Sequence, residues 1–273
     1  MDIIFLLLSF VFGTIIGSFL NVVAFRYNTG FGLNGRSKCL SCAKTLTWIE
    51  LIPIFSFAAQ KGACRKCKSR ISWQYPLVEL SGGLLFVAIF WKFPPTTVAT
   101  SLITALYLII TALLIVITVY DIKHKIIPDA LVYAFAIVAF VSMFFGGPAS
   151  ATNMLGFHIP LVINLLSGLL CALPFWFLWF VSKGKWMGFG DAKLALGIGW
   201  TLGFVAAVSA IVLAFWIGAV ISVIWMLAVF HRVKGRYEIP FAPYLILGMY
   251  IVLIWGVNVI DIRPFLDILH IAS

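Results

Sequence analysis

Long apolar runs separated by polar connections organise this chain, at about Ile3 to Val23, Leu77 to Trp91, Ser101 to Tyr120, Ala130 to Phe145, Leu161 to Val181, Ala192 to Leu202, Phe204 to Val229 and Tyr244 to Ile260. Most are close to or above the length that carries a helix across a bilayer, and well beyond the roughly 10 residues of a barrel strand. The pattern predicts an all-α polytopic membrane protein of about eight transmembrane helices. The first run lacks a basic leader region and a small-x-small cleavage site, so it reads as a retained helix. One segment breaks the rhythm. Residues 26–76 are polar and rich in Cys, Lys and Arg, too long for a tight connection, and predict a small cytosolic loop subdomain.

Composition removes the soluble alternative. The chain is 63% hydrophobic and only 10% charged, with a mean hydropathy of +1.12, far above what a water-facing surface tolerates. If the eight spans alternate, 17 of the 19 basic residues share one side, in the loops Arg26 to Arg70, Lys123 to Lys125, Lys183 to Lys193 and Arg232 to Arg236. Only Lys92 and Arg263 fall opposite. The positive-inside rule then makes the basic loops cytoplasmic and turns both termini outward. The net charge of +10 is a topology signal plus attraction to anionic membrane lipids, and no nucleic-acid partner is expected.

The polar loop carries two C-x-x-C pairs, Cys39 and Cys42 in "CLSC" and Cys64 and Cys67 in "CRKC", 21 residues apart. Each knuckle can offer two thiolates to one tetrahedral ion, and a loop without much core needs such a staple. One structural Zn2+ is expected. Disulfides are disfavoured on a reducing cytosolic face, and Cys171, inside the fifth run, reads as packing.

Two carboxylates stand where an apolar chain has least reason to keep them: Asp121 at the end of the third span, in "VYDIKHKIIPDA", and Asp191 at the start of the sixth, in "GFGDAKL". The alternating topology puts both on the cytoplasmic face, and ionisable groups at the edge of the apolar layer are functional candidates by default. Two close carboxylates share a proton, so that one activates water while the other protonates a leaving group. Gly188 and Gly190 would let a peptide backbone approach Asp191. Lys193 reads either as a group that tunes Asp191 or binds a peptide carbonyl, or as an anchor on the basic face. Asp129, after Pro128, reads as the N-cap of the fourth helix.

The ordered set "GSFLNVVAFR" (Gly17 to Arg26), the two cysteine pairs, "YPLVE" (Tyr75 to Glu79), "DIKHKIIPD" (Asp121 to Asp129), "GFGDAKL" (Gly188 to Leu194) and "PFAPYLILG" (Pro240 to Gly248) resembles the type IV prepilin peptidases. These are bifunctional leader peptidases and N-methyltransferases of the bacterial inner membrane. The resemblance implies Asp121 and Asp191 as the catalytic pair, zinc on the four loop cysteines, S-adenosylmethionine as methyl donor, and prepilins or pseudopilins as substrates cut on the cytoplasmic side. "PFAP" carries Ala242 where that family usually has glycine.

Arg26 and Glu79, beside the cysteine loop, are candidates for contacts to the methyl donor or the pilin, or read as a headgroup-level salt bridge or membrane anchors. Residues 1–76 would then form a methyltransferase part and 77–273 the peptidase bundle. A transporter with Asp121 and Asp191 on an ion path, or a non-enzymatic assembly scaffold docking through the zinc loop, are the competing classes. No inverted repeat is visible to favour the first.

Overall fold

The computed structural model describes residues 3–30, 32, 35–145, 161–229, 239–257 and 259. The expected basic cluster Arg232 to Arg236, Arg263 and the end of the last span lie outside them. Among the described residues the chain is helical, with no strand beyond two isolated bridges. It divides into two compact units, Met1–Pro94 and Pro95–Ser273.

The first unit contains α1 (Ile3–Arg26), a short 3-10 turn (Trp48–Leu51), α2 (Phe55–Ala59) and α3 (Gln74–Lys92). Its two long helices pair because glycines strip the side chains from their seam. A Cβ on Gly13 would lie 2.6 Å from the Gly82 carbonyl oxygen, and one on Gly17 would lie 2.9 Å from the Val78 carbonyl oxygen. Gly13 and Gly17 form a G-x-x-x-G stripe, the arrangement that lets apolar helices meet backbone to backbone in lipid. Buried Asn21 adds a polar tie, its Nδ2 donating to the Tyr75 carbonyl at 3.2 Å.

The second unit is a bundle of α4 (Val98–His124), α5 (Asp129–Phe144), α6 (Leu161–Ser182), α7 (Phe189–Leu202), α8 (Phe204–Val229) and α9 (Ala242–Trp255). Short α7 lies at its centre, packed on α5, α6, α8 and α9. At 1.5 Å per residue its 14 residues reach only about 21 Å, short of the bilayer's apolar layer. Close approach compensates: a Cβ on Gly199 would strike the Ser167 carbonyl oxygen at 2.6 Å.

Because hydrocarbon surroundings give helices no hydrophobic reason to associate, buried hydroxyls add specific ties. The Tyr107 hydroxyl donates to the Thr201 carbonyl at 2.9 Å, the Tyr250 hydroxyl to Thr111 Oγ1 at 2.9 Å, and the Ser167 hydroxyl to the Gly199 carbonyl at 2.8 Å.

Every expected span falls on a helix, and the chain is an all-α polytopic membrane protein. Among the described residues five helices, α1, α3, α4, α6 and α8, are long and apolar enough to cross a membrane, while α5 and α9 are apolar but shorter. Two boundaries differ from expectation in a way that matters. α4 runs on to His124, where Lys125 turns left-handed (φ 55) and caps it, and α7 begins at Phe189. Both aspartates therefore belong to helices and not to the connections between them.

Candidate active site and metal centre

Asp191 occupies the third position of α7, behind Gly188 as N-cap. An acidic side chain there reaches back to the N-cap amide, half of a capping box, and meets the positive end of the helix dipole. The Gly188 backbone N–H interacts favourably with the Asp191 carboxylate. Asp121, in the last turn of α4, has the opposite problem, since a carboxylate at a helix C-terminus is opposed by its own dipole. Another helix supplies the remedy: the backbone N–H of Ala242, the first residue of α9, interacts favourably with the Asp121 carboxylate. Each carboxylate is thus met by the amide end of a helix.

The two are 4% and 8% exposed, and Asp191 lies within electrostatic reach of Asp121. Asp121 Oδ2 is buried with no hydrogen-bond partner. A buried carboxylate oxygen in that condition calls for a water or a substrate group. Phe241, the residue before Ala242, helps line a cleft of about 270 Å3 together with Phe215, Gly218 and Tyr244.

The neighbours take roles the sequence did not show. Gly190 is pressed against the α4–α5 connection, where a Cβ would lie 2.8 Å from Ile127 Cβ, whereas at Gly188 nothing stands closer than Asp191 Oδ2 at 3.7 Å. Pro128 is the N-cap of α5, not Asp129; Asp129 lies in the first turn and its Oδ1 accepts from Lys193 Nζ at 2.6 Å. That partnership spans 64 residues and leaves no local trace. Nor could an amide such as that of Ala242 be found from residue types, although "PFAP" marked the place.

In the first unit the two cysteine pairs form matching knuckles. The isolated bridges Lys38–Thr45 and Ala63–Arg70 close them, Cys39 N donates to Lys44 O as Cys64 N does to Ser69 O, and the fourth residue past each first cysteine, Ala43 and Lys68, is left-handed. The four Sγ atoms lie within 4.8 Å of one another, Cys39 and Cys67 at 3.7 Å. Tetrahedral zinc with Zn–S near 2.3 Å needs sulfurs about 3.8 Å apart, so the donor set fits such an ion.

Two of the four thiols are held toward the thiolate, while Cys42, desolvated and hydrogen-bonded to Cys39 and Cys67, is pushed up to about 11. The amides of Cys42 and Ser41, with the Ser69 hydroxyl, pull the Cys39 thiol down to about 6. The Ser69 hydroxyl and amide lower Cys67. Buried Glu50 braces the first knuckle, accepting from Lys44 Nζ at 2.8 Å and from the Thr47 amide at 3.0 Å. Glu79 is also buried, with Oε2 accepting from the Ile54 amide at 2.7 Å, and Arg26 Nη1 donates to the Gly32 carbonyl at 3.0 Å.

Two buried carboxylates within electrostatic reach of each other in an apolar bundle are an arrangement that aspartic hydrolysis can use. Residues 11–93 match the Bacterial Peptidase A24 N-terminal domain and residues 108–223 the Type IV leader peptidase family, one match within each compact unit. The prepilin leader peptidase/N-methyltransferase of Aeromonas salmonicida is 31% identical over 280 residues, covering 91% of this chain and 90% of that one. Those of Pseudomonas aeruginosa (30%, covering 92% and 91%) and Bacillus subtilis (33%, covering 92% and 95%) are similar over most of their length. No solved structure matches the chain. The chain belongs to the prepilin leader peptidase/N-methyltransferase family.

Proposed function

We propose that this chain removes the leader peptide of type IV prepilins or pseudopilins, with Asp121 and Asp191 as the catalytic pair, and methylates the amino terminus so exposed. The peptidase half is carried by the pair itself: two buried carboxylates in electrostatic reach, each steadied by one backbone amide, with Asp121 Oδ2 left for a water. With one proton between them, the ionised carboxylate takes a proton from water as the water oxygen bonds to the scissile carbonyl carbon. The protonated carboxylate gives its proton to the carbonyl oxygen. Collapse reverses the roles: the C–N bond breaks, the new amine receives the proton taken from water, and the diol returns the other. Of the two glycines, Gly188 leaves the peptide room to approach, because Ile127 already fills the face of Gly190.

The methyl-transfer half draws on the first unit. S-adenosylmethionine would supply an electrophilic methyl group, and a cationic donor suits a site furnished with acceptors. Glu79 and the orphaned, buried Asn21 Oδ1 are such acceptors, with Arg26 as a further candidate contact. The residues that would hold zinc are Cys39, Cys42, Cys64 and Cys67, with a structural role, since four sulfurs close the shell. The basic loops support a bacterial inner-membrane protein whose site faces the cytoplasm. Nothing in the relatives favours a transporter or a scaffold.

Mass spectrometry of a co-expressed prepilin tests the reading. The unaltered chain should yield pilin lacking its leader and carrying one added methyl group. Asp121→Asn and Asp191→Asn should insert normally, because Asn keeps size and hydrogen bonding, and leave the prepilin uncut. Near-normal turnover by either variant would overturn the pair.

A further inference from the structure

Lys193 lies two residues beyond Asp191, and residues so spaced on a helix do not face each other. Its ammonium instead meets Asp129 Oδ1 at 2.6 Å and lies 4.9 Å from the ring centroids of both Tyr133 and Phe189. Tyr133 is one turn past Asp129 on α5, and Phe189 is one turn before Lys193 on α7. Rings and carboxylate enclose the cation, whose side chain is 14% exposed, and a cation held over aromatic faces loses much of its freedom. Gly190 makes the second contact of the same turn, against Ile127. Asp191 is therefore flanked, one residue before and two after, by points that fasten the start of α7 to residues 127–133. That stretch leads directly from Asp121 through the left-handed cap at Lys125.

The geometry points to Lys193 and Asp129 as a positioning pair for the catalytic aspartates. Resting on the peptidase reading above, it assigns Lys193 not to the substrate but to the distance between Asp121 and Asp191. Charge enters only through the Lys193–Asp129 link, which registers α7 against the connection that follows α4. A reaction that needs a water placed between two carboxylates is sensitive to this register, and small misplacements are costly to chemistry while leaving binding intact.

Steady-state kinetics on a prepilin, with the full-length chain in membranes, test the assignment. Lys193→Ala and Asp129→Ala should each lower kcat roughly tenfold or more, with KM within about twofold. The double variant should be no worse than the weaker single, as expected for two residues acting through one link. Lys193→Arg should recover most of the rate. Lys193→Met and Asp129→Asn, which keep the side-chain stems, repeat the comparison if an alanine variant fails to insert.

Methylation of an already mature pilin peptide reports folding apart from cleavage and should be unchanged. A raised KM at constant kcat would make Lys193 a substrate contact and overturn the assignment. So would single-variant losses that multiply, or no loss at all. Should Asp191→Asn still cleave, the peptidase reading itself fails, whatever the pair does.

Discussion

The two compact units keep their shape by different means. In the second, α7 is enclosed by four other helices, and large side chains such as Tyr107, Phe135, Leu194 and Met249 are fully buried. In the first, two helices meet along a glycine seam, while the segment between them is held at discrete points: four thiols, the Lys44–Glu50 ion pair and the Ile54–Glu79 hydrogen bond. Trp48, Phe55 and Trp73, which would form a core in a larger domain, remain exposed. Where packing is continuous, one loss is shared among many neighbours; where the ties are few, each governs its own stretch of chain. The second unit should therefore yield gradually and the first tie by tie.

The largest expected effect tests the seam. Gly17→Leu places a side chain where even a Cβ meets backbone at 2.9 Å, so α1 and α3 must part. Overpacking of a close-packed seam typically costs about 1–3 kcal/mol, and backbone contact leaves no flexible neighbour to relieve it. The inserted, protease-resistant fraction of the first unit should collapse. A variant as resistant as the unaltered chain would show that the helices are not in backbone contact.

Next comes the thiol cluster. Metal analysis in reducing buffer should find about one zinc per chain, as a closed four-thiolate site requires, and none in Cys64→Ser. Proteolysis between residues 35 and 71 should then quicken severalfold, because the knuckles lose their common anchor. Cleavage of prepilin should fall less than in Asp191→Asn. Equal losses would mean that the two units do not yield separately.

How far the chain could be read from its sequence follows the same contrast. Apolar runs announced the helices, and Asp121, Asp191 and the four cysteines were legible because polar or sulfur groups at fixed spacing are conspicuous in oil. The helix ends were not. The glycine that reads as a break, Gly188, is an N-cap, so α7 starts early enough to make Asp191 part of its first turn. Pairings across long separations left no periodic signal, and Asp129 after a proline imitates an N-cap so well that its bond to Lys193 was hidden. The G-x-x-x-G stripe at Gly13 and Gly17 was readable in α1, but its partners Gly82 and Gly83 do not share that spacing. Backbone donors such as Ala242 leave no trace in residue type at all.

A smaller effect belongs to the buried hydroxyls of the second unit. Tyr250→Phe removes one hydrogen bond to Thr111, whose own hydroxyl still donates to the Tyr107 carbonyl at 2.7 Å. The loss should be about 1 kcal/mol and be seen as a modest fall in thermal midpoint, with cleavage intact. A loss of several kcal/mol would mean that the bundle, too, hangs on single ties.

The smallest effect is confined to the first knuckle and to acid. Glu50 is the only carboxylate in residues 26–70, and Lys44, with the Thr47 amide, holds it at about 2, below its ordinary 4.5. A folded-state value below the unfolded one means that the ionised form stabilises the fold. The contribution is complete above about 4.5 and disappears as pH falls through about 2. Glu50→Gln should therefore loosen the knuckle by a constant amount from neutrality down to about pH 5, and the gap should close in stronger acid.

The difference between the two chains is the useful quantity, since protonation of the thiolates and loss of metal act on both alike. Amide exchange at Ala43 and Leu46, whose N–H groups close the knuckle, would report it. A gap that widens as the pH is lowered would show that Glu50 is stabilised in its protonated form, and the brace would then be a neutral hydrogen bond and not an ion pair.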